Sequence, residues 1–122
     1  MSPFNIEVTA RGEVSEHAKQ QAREKISALE RFVNSPILGA RVVLVLERNP
    51  RIPQPARAEA EIELKGRVIR AHADALTVEA AIDEVSERMQ RQLRSYVDRI
   101  VTRKRERAEA LKEQSHSAGS QT

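Results

Sequence analysis

Ile82, Val85, Met89, Leu93, Tyr96 and Ile100 recur at spacings of three and four, the period of one face of an α-helix. Thr77 stands where an N-cap belongs, and Glu79 follows in the first turn, where a negative charge is favoured. The pattern predicts a helix from about Val78 to about Ala110, long for a chain of 122 residues. After Val101 its turns are polar or alanine and should project beyond the body. Ser115–Thr122 (SHSAGSQT) has the composition of a disordered tail. The chain thus divides into a single domain over residues 1–110 and a disordered C-terminal tail over 111–122.

An apolar stripe of this length needs a surface to dock on, and the rest of the chain reads as strands. Phe4, Ile6, Val8 and Ala10 alternate with Asn5, Glu7, Thr9 and Arg11, as in a half-buried strand that Gly12 ends. Ser15 is the next N-cap candidate. Ala18, Ala22, Ile26, Leu29 and Val33 then mark one face of a first helix, stopped by Asn34, Pro36 and Gly39. Val42–Leu46 is short, apolar and β-branched, the signature of a central strand. Asn49–Pro55 contains three prolines and reads as a loop. Ala58, Ala60, Ile62 and Leu64 alternate with Arg57, Glu59, Glu61, Glu63 and Lys65. Gly66 turns the chain, and Val68–Asp74 returns as the second strand of a hairpin. The order is β-α-β-β-β-α. The simplest α+β assembly is a four-stranded sheet with two helices packed on one face. The other sheet face, showing Glu59, Glu61 and Glu63, is expected to be acidic and solvated.

Aromatic residues are 2% of the chain, so the core must be thin and built from Ala, Val, Ile and Leu. Phe4, Phe32 and Tyr96 are expected to join it, with the Tyr96 hydroxyl reaching outward. A sheet that stacks RNA bases on aromatic side chains is excluded. There is no cysteine, hence no disulfide framework or thiolate metal site. The N-terminus MSPFNIEV has neither the basic region nor the apolar run of a signal peptide. No apolar run approaches the ~20 residues that span a bilayer. The reading is a cytoplasmic protein with no membrane partner. His17, His72 and His116 are scattered, without metal-ligand spacing. No nucleophile motif or glycine-rich phosphate loop is present. The expectation is therefore no enzyme, no cofactor, no metal and no small-molecule substrate.

Charge is concentrated on the second helix. Between Arg88 and Arg107 eight basic residues face two acids, a net +6, whereas the whole chain is +3. At 100° per residue, Arg88, Arg91, Gln92, Ser95, Arg99 and Thr102 fall opposite or beside the apolar stripe, with Arg94 at the edge. Guanidinium groups suit phosphate because their planar fork donates two parallel hydrogen bonds. On the first helix, Lys19 and Lys25 flank the apolar residues, and Lys25 could join the arginine ridge in one surface. A charged helix face is usually no more than a solvated one. Glu84 with Arg88 and Glu87 with Arg91 are spaced for ordinary intrahelical pairs, and cations are favoured near a helix C-terminus in any case. Past Arg91, however, the acids nearly vanish. The excess points to a polyanion, most naturally RNA.

The string VIRAHADALTVEAAIDEVSERMQRQLRSYVDRI (68–100), with Ala80, Ala81, Ile82, Asp83, then Arg88, Met89, Arg91, Gln92 and Leu93, resembles the second helix of the ribosome hibernation promoting factor family. That family is also called ribosome-associated inhibitor or sigma-54 modulation proteins. NIEVTARGEVSEHAKQQAREKISALERF, with Lys25, Leu29 and Glu30, is similar to its first strand and helix. The resemblance covers roughly residues 4 to 105. It implies a β-α-β-β-β-α fold related to double-stranded RNA-binding domains. It also implies a non-enzymatic translation inhibitor that binds the small ribosomal subunit and its rRNA in the mRNA/tRNA channel, under stress or in stationary phase. Carried over residue by residue, the RNA contacts would be Lys25, Arg88, Arg91 and Arg99, with Arg94 and Arg103 beyond them. Ala28 stands where members often carry a basic residue. Tyr96-Val97 and Ile100-Val101 stand where many carry a lysine-rich run. Long members add a domain that pairs ribosomes. This chain ends soon after the second helix, so the expectation is a short form or N-terminal domain that does not pair them by itself. Ribosome-bound proteins are further candidate partners. Two other readings stay open: a protein-interaction module of the sigma-factor-modulating kind, and a generic double-stranded RNA-binding module.

Overall fold

The computed structural model describes residues 4–120. Its elements are β1 (Ile6–Arg11), α1 (Glu16–Ser27), a 3₁₀ turn (Ala28–Phe32), β2 (Ile37–Leu46), β3 (Ala56–Leu64), β4 (Arg67–Ala75) and α2 (Val78–Ser120). The strands form one four-stranded sheet in the order β1-β2-β3-β4. β1 runs parallel to β2, as a β-α-β crossover allows, and β2, β3 and β4 form an antiparallel meander. This is the expected α+β architecture.

Both caps form as the sequence predicts. The Ser15 hydroxyl accepts from the Ala18 N–H at 3.0 Å, and that of Thr77 accepts from the Ala80 N–H at 3.1 Å. Each satisfies a first-turn donor that has no partner within the helix. Gly66, at φ +77°, makes the two-residue β3–β4 turn. Gly12 sits at φ +84°, and a Cβ there would collide with the Leu46 carbonyl oxygen. Only glycine lets the chain leave β1 this close to the end of β2.

One sheet face carries rows of apolar residues: Val8, Val42, Ala60 and Ala71 stand level, as do Ala10, Leu44, Ala58 and Ala73. Both helices cover this face. α2 lies over β3 and β4, where Ala56, Ala58, Ala60, Ala71, Ala73 and Ala75 form a floor of small side chains, all buried. A floor of methyl groups admits the bulkier Val85, Met89 and Leu93 of α2, each at most 1% exposed. Close packing without strain needs this alternation of large and small.

Four expectations change. α1 ends at Ser27 and continues as a 3₁₀ turn rather than running as α-helix to Val33. The tighter winding keeps Leu29 and Phe32, three residues apart, in one line over the core. β2 begins at Ile37, and Gly39 lies inside the strand, at an irregularity between Ile37 and Gly39. A strand irregularity tolerates a glycine that would end a helix. α2 continues to Ser120, past the expected end near Ala110. Alanine, leucine, glutamate and lysine from Ala108 to Lys112 are strong helix formers and keep the helix going after packing stops. Of the expected tail, residues 121–122 lie outside the described residues.

The fourth change concerns the open sheet face. Its rows place Glu7, Arg41, Glu61 and Arg70 level across the strands. Arg41 pairs with Glu7 at 3.5 Å, Arg70 with Glu61 at 3.3 Å, and Arg57 with Glu59 at 2.9 Å and Asp74 at 3.4 Å. The hydrogen bond to Glu59, more than the nearby Asp74 charge, raises the Arg57 pKa further above the arginine value. Five acids (Glu7, Glu59, Glu61, Glu63, Asp74) meet four arginines (Arg11, Arg41, Arg57, Arg70), a net of −1. The face carries mixed charge and is not an acidic surface, because Glu7, Glu61 and Asp74 each meet an arginine on the adjoining strand and Glu59 meets Arg57 two positions before it on β3.

Candidate nucleic-acid interface

The fold sorts the basic residues into those with a partner and those without. Arg88 is committed. One of its terminal nitrogens donates to the His72 carbonyl at 2.6 Å, and the other to Glu84 at 2.7 Å. One turn on, the Gln92 amide donates to the Arg70 carbonyl at 2.7 Å. β4 is an edge strand, so these carbonyls have no strand beyond them. Two α2 side chains thus occupy edge acceptors that would otherwise invite another strand. Lys25 is half exposed at 49%, with its ammonium 3.5 Å from Asp83 on α2. Gln21 also donates to Asp83, at 3.2 Å. These contacts tie α1 to α2 and give Lys25 a carboxylate partner, in a pair that solvent partly screens.

Arg91, Arg94, Arg99 and Arg103 are exposed, and no carboxylate lies within ion-pair distance of them among the described residues. The expected Glu87–Arg91 pair does not form, whereas Glu84–Arg88 does. The structure brings Arg91 and Arg99 together with a residue the sequence reading did not single out, Arg67 at the start of β4. With Ile69, Gln92 and Ser95 these arginines line a shallow depression of about 170 Å³. Two of its cations are held in place. The Arg67 guanidinium lies 5.6 Å from the Tyr96 ring centroid, and Arg99 donates to the Ser95 carbonyl at 3.4 Å. Tyr96 is therefore partly buried, with a cation on its ring. Arg94 lies on the opposite flank of α2, 4.8 Å from the Phe32 ring centroid. Arg103 stands further along the helix, on the stretch from Val101 to Lys112 whose side chains are all exposed. The six candidate residues therefore do not form one patch. They divide into two paired groups (Lys25, Arg88), a cluster on the β4 side (Arg91, Arg99, now with Arg67), Arg94 on the α1 side, and Arg103 on the projecting helix. Only the hairpin register, with Gly66 fixing Arg67 at the first position of β4, could have pointed to Arg67.

Chemically, the β4-side cluster can hold an anion. It offers three guanidinium groups and the Ser95 hydroxyl, and no carboxylate to repel a phosphate; the Gln92 amide beside them is already bonded to β4. No helix is long and apolar enough to cross a membrane among the described residues.

Residues 6–101 match the family model described as sigma 54 modulation protein / S30EA ribosomal protein. The chain belongs to this family. It is 32% identical over 94 residues to a ribosome hibernation promotion factor of Deinococcus radiodurans, an alignment that covers 77% of this chain and 49% of that protein. The chain thus spans about half the length of this curated relative. The fold is similar to the crystal structure of the Thermus thermophilus Protein Y N-terminal domain, with TM-score 0.63 and 26% identity, covering 75% of this chain and 98% of that one. It is also similar to a ribosomal subunit interface protein from Coxiella burnetii, with TM-score 0.60 and 18% identity, covering 75% of this chain and 96% of that one. At that identity the Coxiella likeness speaks for the fold alone. The matched span ends at Val101, from which every side chain through Lys112 is exposed, so the match covers the part of the chain that packs.

Proposed function

We propose that this domain associates with ribosomes as a hibernation factor, binding small-subunit rRNA in the channel that mRNA and tRNA would occupy, under stress or in stationary phase. The observation that carries this reading is the cluster of Arg67, Arg91 and Arg99, free of carboxylates, in a chain of the sigma-54 modulation / S30EA family. The mechanism is occlusion and needs no reaction. The protein acts as a cytoplasmic binding factor and not as an enzyme. Arg91 and Arg99 carry the main phosphate contacts. Arg94 and Arg103 extend them along α2, and Lys25 and Arg88 contribute mainly by holding the fold in register. Residues 1–110 are the binding body, and 111–122 lie outside it.

The test is co-sedimentation with purified small and large subunits across a salt series, with mRNA and initiator tRNA as competitors. The expected result is saturable binding to the small subunit that competitors displace. Arg91→Ala with Arg99→Ala should flatten the slope of log K against log[salt] by roughly 0.9 for each phosphate no longer neutralised. Binding of equal strength to both subunits, or a folded double variant that binds as tightly as wild type, would overturn the reading.

A further inference from the structure

Phe32 carries two cations. The Arg31 guanidinium lies 4.9 Å from its ring centroid and that of Arg94 lies 4.8 Å from it. The two arginines come from different elements, the 3₁₀ turn and α2, and meet at one aromatic ring. Both are exposed, and no carboxylate lies within ion-pair distance of either among the described residues. Attraction to a ring face restrains a cation without neutralising its charge. On the sheet and at its edge the fold answers arginines with acids, as at Arg41, Arg57, Arg70 and Arg88. Here, as at the Arg67, Arg91 and Arg99 cluster, it does not, even though Glu30 adjoins Arg31 in the sequence.

We infer that Arg31, Phe32 and Arg94 form a second phosphate site, on the flank of α2 away from the Arg67, Arg91 and Arg99 cluster, so that bound RNA straddles this helix. The inference rests on the RNA-binding reading above. Stacking on Phe32 restrains each guanidinium while leaving its N–H fork free to donate at the rim of the ring. Phosphates of a bound strand at the rim of the ring accept from these forks. The ring is also fixed in place: Phe32 packs against the core, at the end of the turn whose three-residue period aligns it with buried Leu29. The cations are thus held before RNA arrives, which lowers the ordering cost of binding.

The experiment uses the full chain and purified small subunits. Two variants are compared with wild type and with the Arg91→Ala, Arg99→Ala double variant. Arg31→Ala with Arg94→Ala should weaken binding ~10-fold near 0.1 M salt and flatten the salt slope by roughly 0.9 for each phosphate released. Phe32→Leu keeps both charges and an apolar side chain. It should weaken binding ~3-fold or more with the salt slope unchanged, because only the restraint on the cations is removed. Unfolding midpoints measured alongside show that each variant is folded. If wild type binds and the Arg91, Arg99 variant fails while both new variants bind like wild type, the second site is overturned and the RNA reading stands. If the arginine variant weakens and Phe32→Leu does not, the two residues act as loose charges and the site as described is wrong. If wild type does not bind, the RNA reading fails and the site falls with it.

Discussion

Arg88 and Gln92 should behave as structural residues, and removing them should cost stability before it costs binding. Arg88 makes a charge-assisted hydrogen bond of 2.6 Å to the His72 carbonyl and an ion pair of 2.7 Å with Glu84. A hydrogen bond from a charged donor contributes ~1.5–3 kcal/mol. The lower end applies here, because the Arg88 side chain is 41% exposed and water can replace it at the carbonyl. The Glu84 pair adds only about 0.3–0.5 kcal/mol, as for any exposed i, i+4 pair. Arg88→Ala should therefore destabilise the domain by about 1–2 kcal/mol. Gln92→Ala, which removes a neutral hydrogen bond to the Arg70 carbonyl, should cost ~1 kcal/mol. Urea unfolding followed by circular dichroism measures both, with the slope m unchanged if only the folded state is affected. The double variant also bares the carbonyls of the β4 edge and should show more concentration-dependent association than either single variant. Arg91→Ala is the control: it has no ion pair among the described residues and should shift the stability by less than about 0.5 kcal/mol. Equal destabilisation by Arg91→Ala and Arg88→Ala would refute the division of the ridge into structural and free arginines.

Two further outcomes are expected. Gly12→Ala should destabilise by more than ~1 kcal/mol, from the positive φ and the collision with the Leu46 carbonyl, and a melting temperature close to wild type would contradict it. Glu16 is held below the ordinary glutamate range, first by its hydrogen bond with Lys19 and then by the Lys19 charge. A lowered folded-state pKa means that this contribution is present above the unfolded value and is lost as pH falls through the folded one. A carbon-detected NMR titration should place the Glu16 midpoint below that of an unpaired glutamate, and Lys19→Ala should move it back up.

What could be read from the sequence is what local chemistry determines. The alternation of Ala58, Ala60, Ile62 and Leu64, the apolar stripe of α2 and the Ser15 and Thr77 caps each depend on neighbours within a few positions. Each appears in the structure as expected. The acid-rich strand at Glu59, Glu61 and Glu63 misled because its face is shared: which side chains oppose it depends on strand register, and Arg41 and Arg70 come from other strands. The 3₁₀ turn was hidden because Leu29 and Phe32 fit a three-residue spacing in either helix. The fate of Arg88 was hidden for another reason. Its acceptor is a backbone carbonyl of β4, and a carbonyl carries no sequence signal.

These cases together explain why net charge is a poor guide to where this protein would bind an anion. The excess of +6 between Arg88 and Arg107 treats every cation on α2 alike, whereas packing uses them differently. Where α2 touches the sheet edge, Arg88 serves β4. Where it faces α1, Asp83 draws in Lys25. From Arg91 onward the arginines of α2 lack a carboxylate within reach among the described residues, and beside them two aromatic rings, Phe32 for Arg94 and Tyr96 for Arg67 of β4, stand where acids stand elsewhere. A ring restrains a guanidinium without occupying its hydrogen-bonding fork, whereas a carboxylate does both. With aromatics at 2% of the chain, two of the three standing beside unpaired arginines is the arrangement by which a small fold keeps cations both fixed and available.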